Sequence, residues 1–393
     1  MKTLLRSLFG AACILCLAHF AAHDGDDDLV KTNSFAVGKG GKLDISVGEG
    51  DIRVTPWEKS EVYVKARGAR QSDFDDLTWS MTGNTVLIRS DNRSGWERSS
   101  HVRYEISVPS SFHLEIETSS GQIDIQGPLA GSVKASTSAG DVSLGNVTGS
   151  VDLRTSGGDI RSGDVDGDLR MKTSGGNIKA GKVGGEVDLN TSGGDIRIAG
   201  VQKNLHAKTS GGEITVGDVG GEADLSTSGG NIDVGKVGAG ARLNTAGGDI
   251  DLGGANGVVS VKTSGGDLRL LNIRGSVEGK TAGGDVVAEL TPDGKGKSRL
   301  VSAGGEIILY VPEQARATVN ARIRVQGGWN RGRDRGEYRI RSDFKGEVGD
   351  ARADDRTIVG AYMLNGGGET ITLETVNADI QIRKLSGEAR KRE

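Results

Sequence analysis

The chain has 393 residues, 53 of them acidic against 49 Lys and Arg, for a formal charge of −4 at pH 7. A mildly acidic chain has no global electrostatic reason to seek nucleic acid. Its 64 glycines follow no Gly-X-Y period, which excludes collagen, and its apolar residues fall in a regular pattern, which excludes disorder.

At the start, Lys2 and Arg6 lead into an apolar run from Leu8 to Ala18 and a small-residue end at Ala21-Ala22. This is the pattern of a secretory signal peptide over 1–22, cleaved near Ala22, although Phe20 is unusual at the −3 position. The alternative is an ordinary buried N-terminal helix. The 11-residue run falls short of the about 20 residues that span a bilayer. Cys13 and Cys16 both lie in this segment, so the mature chain would hold neither a disulfide nor Cys-ligated zinc. Lipidation at Cys13 is a further alternative, but Gly10 stands where a lipoprotein signal carries Leu. Loss of Lys2 and Arg6 moves the net charge to −4 − 2 = −6. No later run is apolar enough for a transmembrane segment in the mature chain.

Residues 23–33 read as an acidic flexible linker, and 34–117 as an N-terminal cap with the first coils. This segment carries Trp57, Trp79 and Trp96, and "VGEGDIRV" at 47–54 is an irregular early copy of the motif that follows. Solenoids need atypical terminal units to close their edges, and bulky segments at both ends fit that need.

Residues 118–309 are built on one phrase, TSGGDI and its variants. Thr118, Thr137, Thr155, Thr173, Thr191, Thr209, Thr227, Thr245, Thr263 and Thr281 open successive copies; after a first step of 19, every step is 18 residues. Ser302 opens a looser copy 21 residues later, and "TVNADIQI" at 375–382 reads as the final one. A fixed short period means a stacked repeat. In 149–166, Val151, Leu153 and Thr155 alternate with Asp152 and Arg154, the period of a strand with one inward face. Ser156-Gly157-Gly158 breaks the strand, through the positive-φ conformations glycine permits; Ile160 and Ser162 point inward in a second strand, and Val165 makes a third inward contact. Stacking then places Val151 under Leu169, and Leu153 under Met171 and Leu189. Frequent glycine and β-branched inward residues exclude helical repeats. The inward spacings of 7, 5 and 4 residues from Leu153 through Ile160 and Val165 to Leu169 do not fit a left-handed hexapeptide helix. The expected fold is therefore all-β: a single-stranded right-handed parallel β-helix, or β-solenoid, with 18-residue coils and capped ends. At about 4.8 Å per coil the array gives a rod of roughly 50 Å. No Phe, Trp or Tyr lies between Phe112 and Tyr310, so the lumen is narrow.

The acidic column Asp141, Asp159, Asn177, Asp195, Glu213, Asn231, Asp249, Asp267, Asp285 and Glu306 invites a calcium reading. The calcium β-roll needs Gly-Gly-x-Gly-x-Asp, but Ile160 and Ser162 stand where its later Gly and Asp belong. The alternative is a turn in which Asp or Asn accepts bonds from free backbone N–H groups. Paired carboxylates such as Asp249 and Asp267 fall near glycosidase spacing in any stacked coil, so their distance does not single out a catalytic pair. A second column, Asp152, Arg170, Asp188, His206, Asp224 and Arg242, alternates acid with base and reads as register control. No nucleophile elbow, HExxH or P-loop appears. No catalytic residue, metal ligand or cofactor is expected.

Residues 310–382 read as a C-terminal cap and 383–393 as a charged flexible tail. Within the cap, 316–341 holds eight Arg against Asp334 and Glu337, a local +6. Arg324, Arg331, Arg333, Arg335, Arg339 and Arg341 form a candidate anion-binding arm for an anionic envelope glycan or lipid; the alternative is a solvated loop between cap strands.

"KLDISVGEGDIRVTPWEKSEVYVKARG" (42–68), "YEISVPSSFHLEIETSSGQIDI" (104–125), "YVPEQARATVNAR" (310–322) and "LNGGGETITLETVNADIQI" (364–382), with the serial TSGGDI coils, resemble the bacterial putative-adhesin family of β-strand-repeat domains of unknown function. The resemblance spans roughly 34–382 and implies a right-handed β-solenoid of the envelope or cell exterior, with no catalytic residues to carry over. The expectation is an exported, non-enzymatic, adhesin-like binding or scaffold protein, periplasmic, surface-associated or secreted. Its partners would be an anionic glycan or lipid or a surface protein, not nucleic acid. A β-helix polysaccharide lyase or hydrolase and an envelope-stress sensor component are the alternatives. No barrel, sorting signal or anchor follows Ile382, so surface display is expected to need a partner.

Overall fold

The computed structural model describes residues 19–20, 28–90, 102–292, 296–326, 338–345 and 357–385. Outside them lie most of the segment read as a signal peptide, Trp96, most of the charged tail, and Arg331, Arg333 and Arg335.

The strand–glycine–strand pattern of each copy gives one strand to each of two sheets. In the copy at 149–166, Val151–Arg154 enters the first sheet and Ile160–Ser162 the second. Neighbouring copies pair in parallel, one repeat apart: Val151 with Leu169 and Leu153 with Met171, then Leu169 with Val187 and Met171 with Leu189. The second sheet keeps the same offset, with Ile160 on Ile178 and Ile178 on Ile196. Val165 makes the third inward contact as an isolated bridge between Val147 and Val183; from Ile178–Val183 onward that position belongs to a longer second strand. The inward residues of both sheets meet in one continuous buried core running from Phe35 to Ile382. Each Leu, Ile or Val so buried contributes about 1.5–3 kcal/mol, and only stacking buries it.

The glycine pair does a different job from the one its sequence implies. The backbone at Gly193 and Gly194 lies outside the left-handed region, as in the other regular coils. At the second of the two, glycine is needed for close approach. A Cβ on Gly194 would stand 2.1 Å from the carbonyl oxygen of Gly176 in the coil before, and Gly212, Gly230 and Gly248 repeat that contact at 2.1–2.2 Å.

At both ends the spatial order departs from the chain order. Near the N-terminus, strand Gly41–Glu49 lies between Thr85–Ser90 and Phe112–Ser120 in the first sheet. In the second, Asp51–Trp57 lies between Arg103–Pro109 and Ile123–Ile125. The earliest coil is thus inserted beneath a later one. The C-terminus mirrors this. Strands Glu369–Val376 and Ile380–Lys384 stack directly on Lys297–Ser302 and Ile307–Val311, and the earlier strands Ala317–Arg324 and Ile340–Ser342 lie outside them. The copy at 375–382, final in the chain, is therefore not final in the stack. Antiparallel strands close three edges: Leu77–Thr82 on Thr85–Ser90, Leu29–Ala36 on Glu61–Gly68, and Thr357–Leu364 on Ala317–Arg324. Each breaks the parallel order that a further coil would extend. Strand Leu29–Ala36 begins inside the segment read as a linker. Backbone pairing with Glu61–Gly68 holds it rather than burial, since Phe35 is its one buried residue.

Glu115 ties the inserted coil to its neighbours. Its carboxylate accepts from Lys42 Nζ at 2.5 Å and from Lys134 Nζ at 2.8 Å, joining strands Gly41–Glu49, Phe112–Ser120 and Val133–Ser136. The two lysine hydrogen bonds, Lys134 first, pull its pKa down from 4.5 to about 2. The group is partly exposed, so water screens the effect and its contribution is small. A carboxyl with a depressed folded pKa stabilises fully above its unfolded value of 4.5, and that stability is lost as pH falls through about 2. Thermal melts from pH 5 to pH 2 should show a shallower decline in Glu115→Gln than in the wild type; superimposable slopes would mean the triad contributes nothing.

Candidate functional site

The threonines and acids of the repeat are committed to the stack. Thr209 Oγ1 donates to the Gly194 carbonyl of the preceding coil at 2.9 Å and accepts from the Gly212 N–H of its own turn at 3.3 Å. The same pair of bonds recurs from Thr155 to Thr281, and Thr375 donates to Gly305 O at 2.7 Å. These side chains are at most 8% exposed. The acidic column forms a second ladder. Oδ1 of Asp159 accepts the N–H of Asn177 at 2.7 Å, Oδ1 of Asn177 that of Asp195 at 2.9 Å, and Oδ1 of Asp249 that of Asp267 at 2.8 Å. The Glu213 N–H holds the Asp195 carboxyl below its usual pKa. Shorter ladders occupy the other corners, with Asp164 accepting from Lys182 N–H and Asp168 from Glu186 N–H. Asp and Asn serve equally as acceptors here, which explains why Asn177 and Asn231 interrupt the acids without breaking the pattern.

The alternating column lies on the outer face of the first sheet, where Asp152, Arg170, Asp188, His206, Asp224 and Arg242 stand in register. Arg170 meets Asp188 at 3.2 Å, while His206 and Arg242 flank Asp224 at 3.8 and 3.9 Å. Asp152 instead pairs with Arg154 at 2.9 Å. At the C-terminal end, Arg324 is exposed on the last residue of Ala317–Arg324, and Arg339 and Arg341 are exposed around Ile340–Ser342. Asp379 draws the latter two together, accepting the Arg339 N–H at 2.8 Å and standing 3.8 Å from the Arg341 guanidinium.

A recess opens where the second sheet leaves its pattern. From Thr137 onward the eighth residue after the repeat threonine is Gly145, Gly163, Gly181, Ala199, Gly217, Gly235 and Gly253, and then Leu271, Glu289 and, after Ser302, Tyr310; after Thr118, at the start of the array, it is Gln126. Against Val286–Thr291 the register slips, with Leu270 on Ala288 and Ile273 on Leu290, so Leu271 and Asn272 together oppose Glu289. Asn272 takes a left-handed φ of 48° and donates from Nδ2 to the Gly253 carbonyl at 3.2 Å. Beside this bulge is a concavity of about 510 Å³. Lys236, Arg269 and Arg274 bring positive charge to it; Asn256 and Asn272 bring amides; Tyr310 brings an aromatic ring; and Leu271 and Val287 bring half-buried apolar surface. Glu289 also lines it and is 6% exposed, next to Tyr310 on the neighbouring strand. Sequence reading missed this site; the signal was the loss of the small residue at 271, 289 and 310. Among the described residues no group of three or more His, Cys, Asp or Glu is placed to hold a metal ion, and no helix is long and apolar enough to cross a membrane.

Residues 41–235 match the model of the Toastrack DUF4097 family, so this part of the chain is a β-repeat domain of that family, whose function is unknown. Among solved structures it is similar to a putative cell adhesion protein from Clostridium sporogenes, at 10% identity and a TM-score of 0.19 over 91% of this chain and 100% of that one. It is also similar to a putative adhesin from Bacteroides fragilis, at 11% identity and a TM-score of 0.18 over 91% and 97%. A putative adhesin from Parabacteroides distasonis matches at 14% identity and a TM-score of 0.28 over 63% and 94%. No curated protein matches the chain.

The threonine ladder sets a sharp expectation. Thr209→Val keeps the shape but leaves the Gly194 carbonyl and Gly212 N–H without their partner, a loss of about 1–3 kcal/mol. Thr209→Ser keeps both bonds and should lose less. Chemical denaturation of the two variants checks the order; equal losses would show that the hydroxyl does not bridge the coils.

Proposed function

We propose that the protein is an exported, non-enzymatic binding or scaffold component of the bacterial envelope, its coils wound as a right-handed β-solenoid. The supporting observation is the use made of the repeat's acids: along the rod their Oδ1 atoms hold the next coil's backbone, as in the Asp159 to Asn177 and Asp249 to Asp267 steps. Groups fixed in a repeated ladder serve length and rigidity, and a rigid rod with distinct ends displays surfaces at a set spacing. The charged start of the chain, with Lys2 and Arg6 before an apolar run, supports export. The Arg-rich segment 316–341, with Arg324, Arg339 and Arg341 exposed, supports an anionic polymer as partner. Glycan and lipid arrays test this reading. The wild type should bind anionic members, with affinity falling as salt is added because screening acts beyond about 8–10 Å. Arg331→Gln/Arg333→Gln/Arg335→Gln should weaken that binding. Turnover of a polysaccharide on the array, or no binding to any member, would contradict the reading.

A further inference from the structure

We propose that the recess between Lys236 and Tyr310 is a binding site for an acidic saccharide, a sugar unit bearing a carboxylate or sulfate. The inference rests on the reading of the protein as a binder, and it uses none of the residues of the Arg-rich segment.

Three independent features meet here. The first is chemical. Lys236, Arg269 and Arg274 stand against Glu289 in the lining and Asp251 beside Arg269, so a chain of negative net charge carries a local excess of positive charge at this point. Asn256 and Asn272 offer amide groups of the kind that pair with hydroxyls, and Tyr310, Leu271 and Val287 offer apolar surface for the C–H face of a sugar ring. The second is geometric. The space of about 510 Å³ falls within the roughly 300–1,000 Å³ of small-ligand sites. The third is the departure from pattern. Seven consecutive copies, from Gly145 to Gly253, keep a small residue where Leu271, Glu289 and Tyr310 then follow, and the bulge and left-handed Asn272 fall at the same place. Bulges re-aim side chains beside binding and active sites.

The core behind the recess argues for a sugar over a lipid. Leu252, Leu270, Ala288 and Leu309 are at most 1% exposed and fill the lumen, leaving no apolar channel for an acyl chain. A ligand must lie in the recess and meet both its charge and its amides.

Calorimetric titration of the full chain tests the site with trigalacturonate, a sulfated galactose trisaccharide, neutral galactotriose, inorganic phosphate and phosphatidylglycerol vesicles. One or both acidic trisaccharides should bind in a salt-sensitive way, and the two arms separate carboxylate from sulfate. Galactotriose and phosphate should bind at least about tenfold more weakly, a difference of about 1.4 kcal/mol. Lys236→Gln/Arg274→Gln should weaken the acidic sugar by about tenfold or more. Gly254→Leu fills the recess from its floor. A Cβ on Gly254 meets nothing closer than 3.5 Å, so the side chain starts without a backbone clash; the variant should keep the strand signal of the wild type in circular dichroism yet lose binding. Arg331→Gln/Arg333→Gln/Arg335→Gln should leave recess binding intact. The site is overturned if neither acidic sugar binds, if the recess variants bind as well as the wild type, or if phosphate or vesicles bind as tightly. Loss of sugar binding in the arginine triple variant alone would overturn the site while leaving the proposed function standing.

Discussion

Every coil of this rod must approach the next closely enough for backbone to touch backbone at the turn. The carbonyl of Gly176 sits where a Cβ of residue 194 would be, 2.1 Å from its ideal position. That contact fixes glycine at one position per coil, and it also creates the next requirement. Turn carbonyls and N–H groups brought out of water need partners, since an unmet buried group costs about 1–3 kcal/mol. Thr209 and its equivalents meet both needs with one hydroxyl, and the following Asp or Asn caps the neighbouring N–H from outside. The phrase Thr-Ser-Gly-Gly-Asp is thus the chemical form of a short inter-coil distance.

Much of the middle of the rod is legible in the sequence for that reason. Period-two alternation assigns Val151, Leu153 and Ile160 to the interior, and the spacing of threonines assigns the register; the pairs Val151–Leu169 and Leu153–Met171 stand as expected. The role of the glycines is less legible. Tight turns often use glycine for its left-handed conformations, and only the packing shows that Gly194 serves proximity instead. The ends are least legible. Nothing local to "VGEGDIRV" states that Val47 will pair with Thr118 while Ser90 pairs on its other side, because insertion of a coil is a long-range choice. The recess escaped for a related reason: Leu271, Glu289 and Tyr310 are unremarkable singly and become a signal only as one column.

The inserted end coils answer a weakness of linear repeats. In a simple stack each unit touches only its neighbours, so terminal units are held from one side and fray. Here the first parallel coil and the last are held from both sides. Gly41–Glu49 has partners in Thr85–Ser90 and Phe112–Ser120, and Glu369–Val376 has partners in Lys297–Ser302 and Ala317–Arg324. A rod closed in this way keeps its lateral surfaces in fixed relation, including the charge-alternating face at Arg170 and Asp188 and the recess beside Asn272. Rigidity of that kind suits recognition of extended polymers, because less ordering entropy is lost when the surface is already set.

Hydrogen exchange along the whole rod tests the central claim, that insertion at both ends makes the stack one cooperative unit. Amides of Leu43, Ile45, Ile371 and Leu373 in the end coils should exchange as slowly as those of Val187, Leu205 and Leu225 in the middle, all by global unfolding. A gradient of protection, slow at Leu205 and progressively faster toward Leu43 and Leu373, would show a stack that frays from its ends and would contradict the account.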